Sequence, residues 1–226
     1  MIFAIDHIVF AATPEQSREM REALVGLGFS SEAFSLAFPE IGATSESVSF
    51  VGGGFVEFVA RIDEARAPGI WFNEIPRIIG VGFSSDDFDA DTHWAIESDG
   101  WVMNEDHALP DGSCLNIHAA GPHSHFSDFY VFVMDRPEGL LQFPERKQGG
   151  PRLRRLTFAG EAADSWRERL REWLGLAENA NVLYVGDVEL TFRRRSRPGI
   201  CVTPLFEDAR QRRHIPLSEG AIELLA

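Results

Sequence analysis

His7 and Glu57 are the two residues whose chemistry most needs an explanation, because each lies in a segment that alternates like a β-strand. The segments are 3–12 and 55–61, and apolar residues occupy both faces of each one. Strands that are apolar on both faces are covered on both faces, so the imidazole and the carboxylate are sheltered from water. Such groups need polar partners. They either pair with protein groups or meet over a cavity and hold a metal or a substrate.

Aromatic residues supply candidate contacts for such a substrate. Phe55 shares its strand face with Glu57, and Phe126 falls in a predicted loop, where an aromatic ring can line a ligand pocket or a subunit interface. The chain contains 18 Phe and five Trp. Many of them are core residues by alternation, whereas those in loops or connectors indicate an apolar or aromatic ligand or partner.

The elements that position His7 and Glu57 form a β-α-β-β-β unit. Thr13 is a suitable N-cap directly after the first strand, and Gln16 completes a capping-box pattern for the helix that follows. An irregular or weakly stranded stretch at 29–41 separates this helix from two strands at 47–51 and 55–61. The helix and the strands therefore place the two residues on different strands of one sheet.

The same pattern begins again twice along the chain. When the units are aligned by strand and helix phase, His7, Gly80 and Arg155 coincide. A single sheet with one helix cannot cover its own concave face, so the repeats predict an α+β fold of β-α-β-β-β modules that form cupped mixed sheets. Two modules pair around a cup, and the third packs beside them or completes a second half-cup. The predicted divisions are a first module (1–64), a connector (65–77), a second module (78–136), a second connector (137–151), and a third, divergent module with the C-terminal tail (152–226).

Composition limits the partners of the chain. The net charge is −14 and the pI is about 4.9, which argues against nucleic acid or a membrane surface as a partner, because both attract an excess of Lys and Arg. A small molecule is the expected ligand.

No basic leader precedes a long apolar run, and Cys114 and Cys201 lie in apolar strand-like segments without a metal-type spacing. We therefore expect a cytoplasmic protein with reduced cysteines.

The residues around His7 and Glu57 resemble a known family. The segment 5–10 before a capped helix, with the segment 55–59 some fifty residues later, is similar to the first module of the vicinal oxygen chelate superfamily, and in particular to glyoxalase-like domain proteins. The resemblance is specific over residues 2–61. It implies the glyoxalase fold, in which enzymes hold a divalent metal through His on a first strand and Glu on a fourth strand. Those ligands correspond to His7 and Glu57.

A metal requires more ligands than this pair. One imidazole and one carboxylate with open positions suit Fe, Mn, Zn or Ni acting as a Lewis acid. In the family the second module supplies further ligands, but the matching positions here carry Gly80 and Val131 or a neighbour, and the third module offers Arg155 and Glu189. His118, in a predicted strand that would line the same cup, is the candidate third metal ligand.

Three interpretations of the pair remain open at the level of sequence. The first is a metal-dependent lyase, isomerase or dioxygenase that acts on a small oxygen-rich molecule. The second is a metal-free protein of the same fold that binds or sequesters an aromatic or apolar compound. In the third, His7 and Glu57 form a buried hydrogen-bonded pair without a ligand. We also expect a homodimer, because an unpaired third module leaves a sheet edge to cover.

Overall fold

A computed structural model of the chain places its strands in two mixed β-sheets. The predicted ligand contact Phe126 lies outside the described residues. The structure describes residues 2–31, 35–52, 54–66, 72, 74–108, 114–122, 129–135, 150–179, 182–196, 200–218 and 221–226.

The first sheet has eight strands in the order β2-β3-β4-β1-β5-β8-β7-β6, with β1 parallel to β4 and antiparallel to β5. Two β-α-β-β-β units meet at the β1–β5 pair, and each contributes half of the sheet. The elements are β1 (Ile2–Ala12), α1 (Pro14–Gly26), β2 (Ser35–Phe38), β3 (Ala43–Ser49), β4 (Phe55–Arg61), β5 (Arg77–Ser85), α2 (Phe88–Glu97), β6 (Trp101–Ala108), β7 (Cys114–Gly121) and β8 (Tyr130–Asp135).

The second sheet has seven strands in the order β10-β11-β12-β9-β13-β15-β14. Its β9 side is a third β-α-β-β-β unit, whereas residues 208–212 after β13 contain no helix, and the C-terminal side has only three strands within the described residues. The elements are β9 (Arg152–Gly160), α3 (Ala163–Leu174), β10 (Ala177–Asn179), β11 (Val182–Val185), β12 (Val188–Arg194), β13 (Ile200–Glu207), β14 (Arg213–Pro216) and β15 (Ala221–Leu224). The predicted α+β fold of repeated modules in cupped mixed sheets is confirmed.

Local signals explain where the first two helices begin. Thr13 caps α1, because its hydroxyl accepts a hydrogen bond from the Gln16 amide at 3.2 Å and the Gln16 side chain accepts one from the Thr13 amide at 3.0 Å. Asp87 caps α2 by accepting a hydrogen bond from the Ala90 amide at 3.2 Å. The stretch 29–41, predicted as irregular or weakly stranded, contains the short strand β2 and a turn of 3-10 helix at Pro39–Ile41.

The main core lies between the two sheets, on the faces that carry the helices. Trp166 of α3 is buried and contacts Phe129, directly before β8, and Phe158 of β9, with ring centroids 5.6 Å and 6.4 Å away. Trp94 of α2 stacks on Trp173 of α3 at 4.9 Å. The concave face of the first sheet therefore points away from this core and forms a separate cup.

The C-terminal strands are joined to the first unit. Phe206 of β13 is fully buried and packs edge-on against Phe29 and Phe50, with centroids 5.0 Å and 5.2 Å away. The Arg210 amide donates a hydrogen bond to the Leu27 carbonyl at 3.0 Å. The first unit thus covers the face that a helix after β13 would otherwise cover. Within the described residues, no helix is both long enough and apolar enough to cross a bilayer.

Asp91 of α2 makes the stability of this fold depend on pH. Burial raises the pKa of its carboxyl above the ordinary value of 3.8, and the hydrogen bond from the Ser85 hydroxyl only partly opposes this. A carboxyl whose pKa is raised on folding binds more protons in the folded state, so its contribution to stability falls as pH rises from about 4 through the raised pKa. Relative to Asp91→Asn, the wild-type free energy of unfolding should fall over this range and then stay level. Urea denaturation at pH 4 to 7 tests this, and parallel pH profiles would contradict it.

Candidate active site

His7 and Glu57 lie together in the cup of the first sheet. β1 and β4 are parallel neighbours, with His7 opposite Phe55 and Val9 opposite Glu57. The imidazole Nε2 lies 3.5 Å from Glu57 Oε2, and His7 and Glu57 are 5% and 9% exposed. The structure therefore brings together the two residues that the sequence singled out.

A β-bulge adds a second carboxylate to this pair. The β1–β5 ladder pairs Ile5 with Phe83 and His7 with Gly82, which leaves Asp6 as the extra residue. Asp6 Oδ1 lies 2.6 Å from His7 Nδ1, and its other oxygen accepts a hydrogen bond from the Ser84 hydroxyl at 3.1 Å. Sequence reasoning missed the role of Asp6, because strict alternation places adjacent residues on opposite faces of a strand.

The arrangement of Asp6, His7 and Glu57 places two hydrogen-bond acceptors opposite each other. A carboxylate accepts hydrogen bonds, so Asp6 fixes the proton of His7 on Nδ1 and presents Nε2 to Glu57. An ionised Glu57 and an unprotonated Nε2 are both acceptors. A proton, a ligand hydroxyl or a cation between these two atoms is needed to satisfy both of them.

Aromatic rings hold the imidazole in place. Phe55 stacks on His7 with centroids 4.5 Å apart and planes 11° apart, and Phe132 of β8 meets it edge-on at 5.1 Å. Gly82 opposes His7 on β5 and leaves room for both rings. Phe55, a predicted substrate contact, is thus in direct contact with the polar group.

Filling the space at Gly82 should disrupt this arrangement. A Cβ there would lie 2.7 Å from Phe132 Cε2 and 3.1 Å from His7 Nδ1. Gly82→Ala should lower the free energy of unfolding by about 1 to 3 kcal/mol, the usual range for overpacking a core. Gly26→Ala is the control, because nothing lies within 4 Å of a Cβ at that position. Equal urea midpoints for the two variants would show that the His7 ring is not tightly held.

The second unit carries apolar residues at every matching position. In the β1–β5 ladder, His7 pairs with Gly82 and Val9 pairs with Gly80. Exchanging the two strands turns the first pair into the second, so His7 of the first unit corresponds to Gly80 of the second. By the same exchange, Val9 corresponds to Gly82. Glu57 pairs with Val9, and Phe132 of β8 pairs with Gly82, so Phe132 corresponds to Glu57. The predicted counterpart Val131 is one residue away and faces the main core. The bulge residue that corresponds to Asp6 is Ile79.

His118 is not brought to this site. Its Nδ1 lies 3.2 Å from Asp135 Oδ2, and its ring lies 6.1 Å from Phe88 of α2. The next residue, Ala119, faces the cup, so that alternation along β7 places His118 on the helix side. The prediction that His118 lines the cup does not agree with this placement. Sequence alternation shows which residues share a face, but it does not show which face is concave.

The donor set does not complete a metal centre of the family type. In the described part of the chain, no three His, Cys, Asp or Glu side chains are arranged to share a metal ion. Asp6 lies at Nδ1, on the opposite edge of the ring from Nε2, and the second unit adds Gly80 and Phe132. Two donors, His7 and Glu57, therefore face the cup.

The third unit carries different chemistry at its matching positions. Arg155 takes the place of His7 and forms an ion pair with Glu189 at 2.6 Å. Thr191 takes the place of Glu57 and shares a hydrogen bond with Thr157 at 3.0 Å. The Arg155 and Glu189 side chains are 38% and 35% exposed, so this part of the second sheet is polar and partly open to solvent.

The cup of the first sheet, in contrast, is largely apolar. A second hydrophobic cluster lines it, separate from the main core, and partly exposed apolar side chains extend this cluster. Its buried members are Val9, Ala11, Ala43, Val59, Phe72, Ile79, Ala119 and Phe132, and its partly exposed members are Phe38, Ile41, Ile75, Trp101, Met103, Tyr130 and Met134.

Solved structures with the same fold identify the architecture. A hypothetical protein from Staphylococcus aureus superposes with a TM-score of 0.70 at 9% identity, covering 98% of this chain and 99% of the other. A 4-hydroxymandelate synthase mutant from Streptomyces coelicolor gives 0.59 at 14% identity, over 92% of this chain and 72% of the other. A xylose isomerase-like TIM barrel/4-hydroxyphenylpyruvate dioxygenase fusion protein gives 0.59 at 13% identity, over 92% and 37%.

These identities are low, so the likeness concerns the fold. No protein-family model matches the chain, and no curated protein sequence matches it. The synthase and the dioxygenase fusion are vicinal oxygen chelate proteins. The chain therefore has the glyoxalase-like fold of the vicinal oxygen chelate superfamily, as the residues around His7 and Glu57 predicted.

Proposed function

We propose that the protein binds a small, mainly apolar or aromatic molecule in the cup of the first sheet without a metal ion. The observation that carries this proposal is the pair Gly80 and Phe132, which stands where the second unit of a metal-binding relative supplies ligands. A phenyl ring next to His7 replaces a donor with an apolar contact surface. The cup then offers stacking and hydrophobic burial, which suit an aromatic ligand.

Asp6, His7 and Glu57 orient this ligand. Asp6 fixes the tautomer of His7, and Nε2 and Glu57 together present hydrogen-bond acceptors at an otherwise apolar wall. A ligand hydroxyl donates to one of them, and a ligand carbonyl accepts when Glu57 or Nε2 carries the proton. Few polar groups in an apolar pocket are the usual source of ligand specificity.

Calorimetric titration with 2-naphthol tests the proposal. This probe combines an aromatic body with a single hydroxyl. Wild type should bind it, and Glu57→Gln should bind it about tenfold more weakly, because one hydrogen bond to a charged group contributes about 1.4 kcal/mol or more. Glu189→Gln, at the polar face of the second sheet, is the matched control and should bind like wild type. An absence of binding heat in wild type, or equal loss in both variants, would contradict the proposal.

A second candidate function is acid–base catalysis at the same site, as an isomerase or lyase without a metal. The short Asp6–His7 contact of 2.6 Å favours it, because a carboxylate at Nδ1 stabilises the imidazolium that forms when Nε2 takes a proton. In such a step, Nε2 removes a proton from a carbon next to a ligand carbonyl and returns it to the same carbon or a neighbour.

Deuterium exchange distinguishes catalysis from binding alone. The probe 1-(2-naphthyl)propan-2-one carries an acidic methylene group between its ring and its carbonyl. In D2O, proton NMR should show loss of the methylene signal faster with wild type than with buffer, and Asp6→Asn should slow this exchange at least tenfold. If wild type and His7→Gln exchange the proton equally, the protein binds without catalysis.

A further inference from the structure

A buried hydroxyl on β3 lies on the cup face without a hydrogen-bond partner. Ser45 pairs with Val59 of β4, a member of the apolar cluster that lines the cup, so its side chain shares the concave face. Ser45 is 1% exposed, and no described residue offers its Oγ a hydrogen bond. A buried hydroxyl without a partner is costly, and it calls for a group that is brought in by a ligand.

The neighbours of Ser45 place it between Glu57 and the partly exposed edge of the cup. Ser47, two residues along β3, pairs with Glu57, so that Ser45 and Glu57 are diagonal neighbours on adjacent strands. Diagonal neighbours of this kind lie about 7 to 8 Å apart. In the other direction, Ala43 pairs with Phe38 of β2, whose ring is only partly buried. A ligand that enters past Phe38 therefore meets the Ser45 hydroxyl before it reaches Glu57.

The second unit carries alanine at the position of Ser45. Met134 of β8 corresponds to Val59, because it lies two residues after the counterpart of Glu57. Met134 pairs with Ala119 of β7, just as Val59 pairs with Ser45. Ala119 is fully buried on the cup face. A methyl group is thus sufficient for packing at this position, and the hydroxyl of Ser45 serves another purpose.

We infer that Ser45 binds the ligand of the cup. Its hydroxyl donates a hydrogen bond to a second oxygen of an aromatic molecule whose first oxygen meets Glu57 and His7. The ligand class is then a fused aromatic ring system with an oxygen substituent at each end, and its ring packs on Val59. The second oxygen supplies the partner that the hydroxyl lacks in the free protein. This inference rests on the proposed function and names the chemical class of its ligand.

Calorimetry with an isosteric pair of probes tests it. We compare 2,6-dihydroxynaphthalene with 6-methyl-2-naphthol, which have the same shape and differ in the second oxygen. Wild type should bind the diol about fivefold more tightly, because the added hydroxyl satisfies a buried polar group. Ser45→Ala should abolish this preference. Ser17→Ala changes a buried serine of α1, on the helix side of the sheet, and is the matched control that should keep the wild-type ratio.

The stability of the ligand-free protein gives an independent readout. Ser45→Ala removes a hydroxyl that has no partner and leaves the methyl group that Ala119 presents in the second unit, so the urea midpoint should rise above that of wild type. A loss of affinity together with a gain of stability is typical of a residue retained for ligand binding. A hydroxyl needed for the fold would instead make the variant less stable.

The outcomes separate this inference from the function beneath it. Equal affinity of wild type for the two probes overturns the inference, while binding of both still supports an aromatic site. A diol preference that persists in Ser45→Ala also overturns it. So does a urea midpoint below that of wild type, or a Ser45→Ala variant that does not fold. If wild type binds neither of these probes nor 2-naphthol, the proposed function itself fails.

Discussion

His7→Ala is expected to lower the free energy of unfolding by about 3 kcal/mol. The substitution leaves the Asp6 and Glu57 carboxylates on either side of an empty space in a low-dielectric cup, and removal of one partner from a buried polar group is costly. It also removes the ring that stacks on Phe55. Urea denaturation at pH 7 and 25 °C measures the change.

A control and a rescue identify the cause of this loss. His93→Ala changes a histidine of α2 whose side chain is 74% exposed, and it should alter stability by less than 0.5 kcal/mol. The double variant His7→Leu with Glu57→Leu should recover part of the loss, because it removes the Glu57 carboxylate together with its partner. The Asp6 carboxylate remains and keeps its hydrogen bond from the Ser84 hydroxyl. A loss below 1 kcal/mol for His7→Ala would mean that the two carboxylates are well hydrated without the imidazole.

Trp166→Ala is expected to cost about 4 kcal/mol and to destabilise both sheets together. Large aromatic-to-alanine changes in cores cost about 3 to 5 kcal/mol. Trp166 contacts Phe129, directly before β8 of the first sheet, and Phe158 of β9 in the second. For a chain of this size the change should lower Tm by about 10 °C. Differential scanning calorimetry should show one transition at the lower temperature.

Two separate unfolding transitions in Trp166→Ala would contradict a shared core. If the helix-bearing faces do not share a core, the second sheet will unfold at a lower temperature and the first will keep its wild-type transition. Ile96→Ala is the control, because this residue of α2 is 63% exposed. It should shift the transition by no more than about 2 °C, corresponding to less than 0.5 kcal/mol.

Periodicity was sufficient to predict the fold class and the pair at the centre of the site. His7 and Glu57 lie in strands of clear alternation, and a capped helix between them defines the unit. The position of Asp6 depends on a bulge in the β1–β5 ladder. A bulge arises from pairing between distant segments, and the local sequence of one strand does not encode it.

The open choice between Val131 and its neighbour and the misplacement of His118 have a related origin. A period of two assigns residues to alternate faces, but which face is concave depends on how the sheet curls and on where the helix packs. In β8 the neighbours Val131 and Phe132 face opposite sides, so an alignment that is wrong by one residue selects Val131 in the core instead of Phe132 in the cup. Along β7, Ala119 and Ala120 face the cup and the core respectively, and their composition does not distinguish them.

The most direct test of the central claim is titration of 2-naphthol into protein dialysed against a chelator, before and after addition of Fe, Mn, Zn or Ni. The chelated protein should bind 2-naphthol with a Kd that changes less than twofold when any of the metals is added. None of these metals should raise the Tm of wild type by an amount that His7→Ala removes. Binding that occurs only after metal addition, together with a metal-induced upshift lost in His7→Ala, would contradict the account.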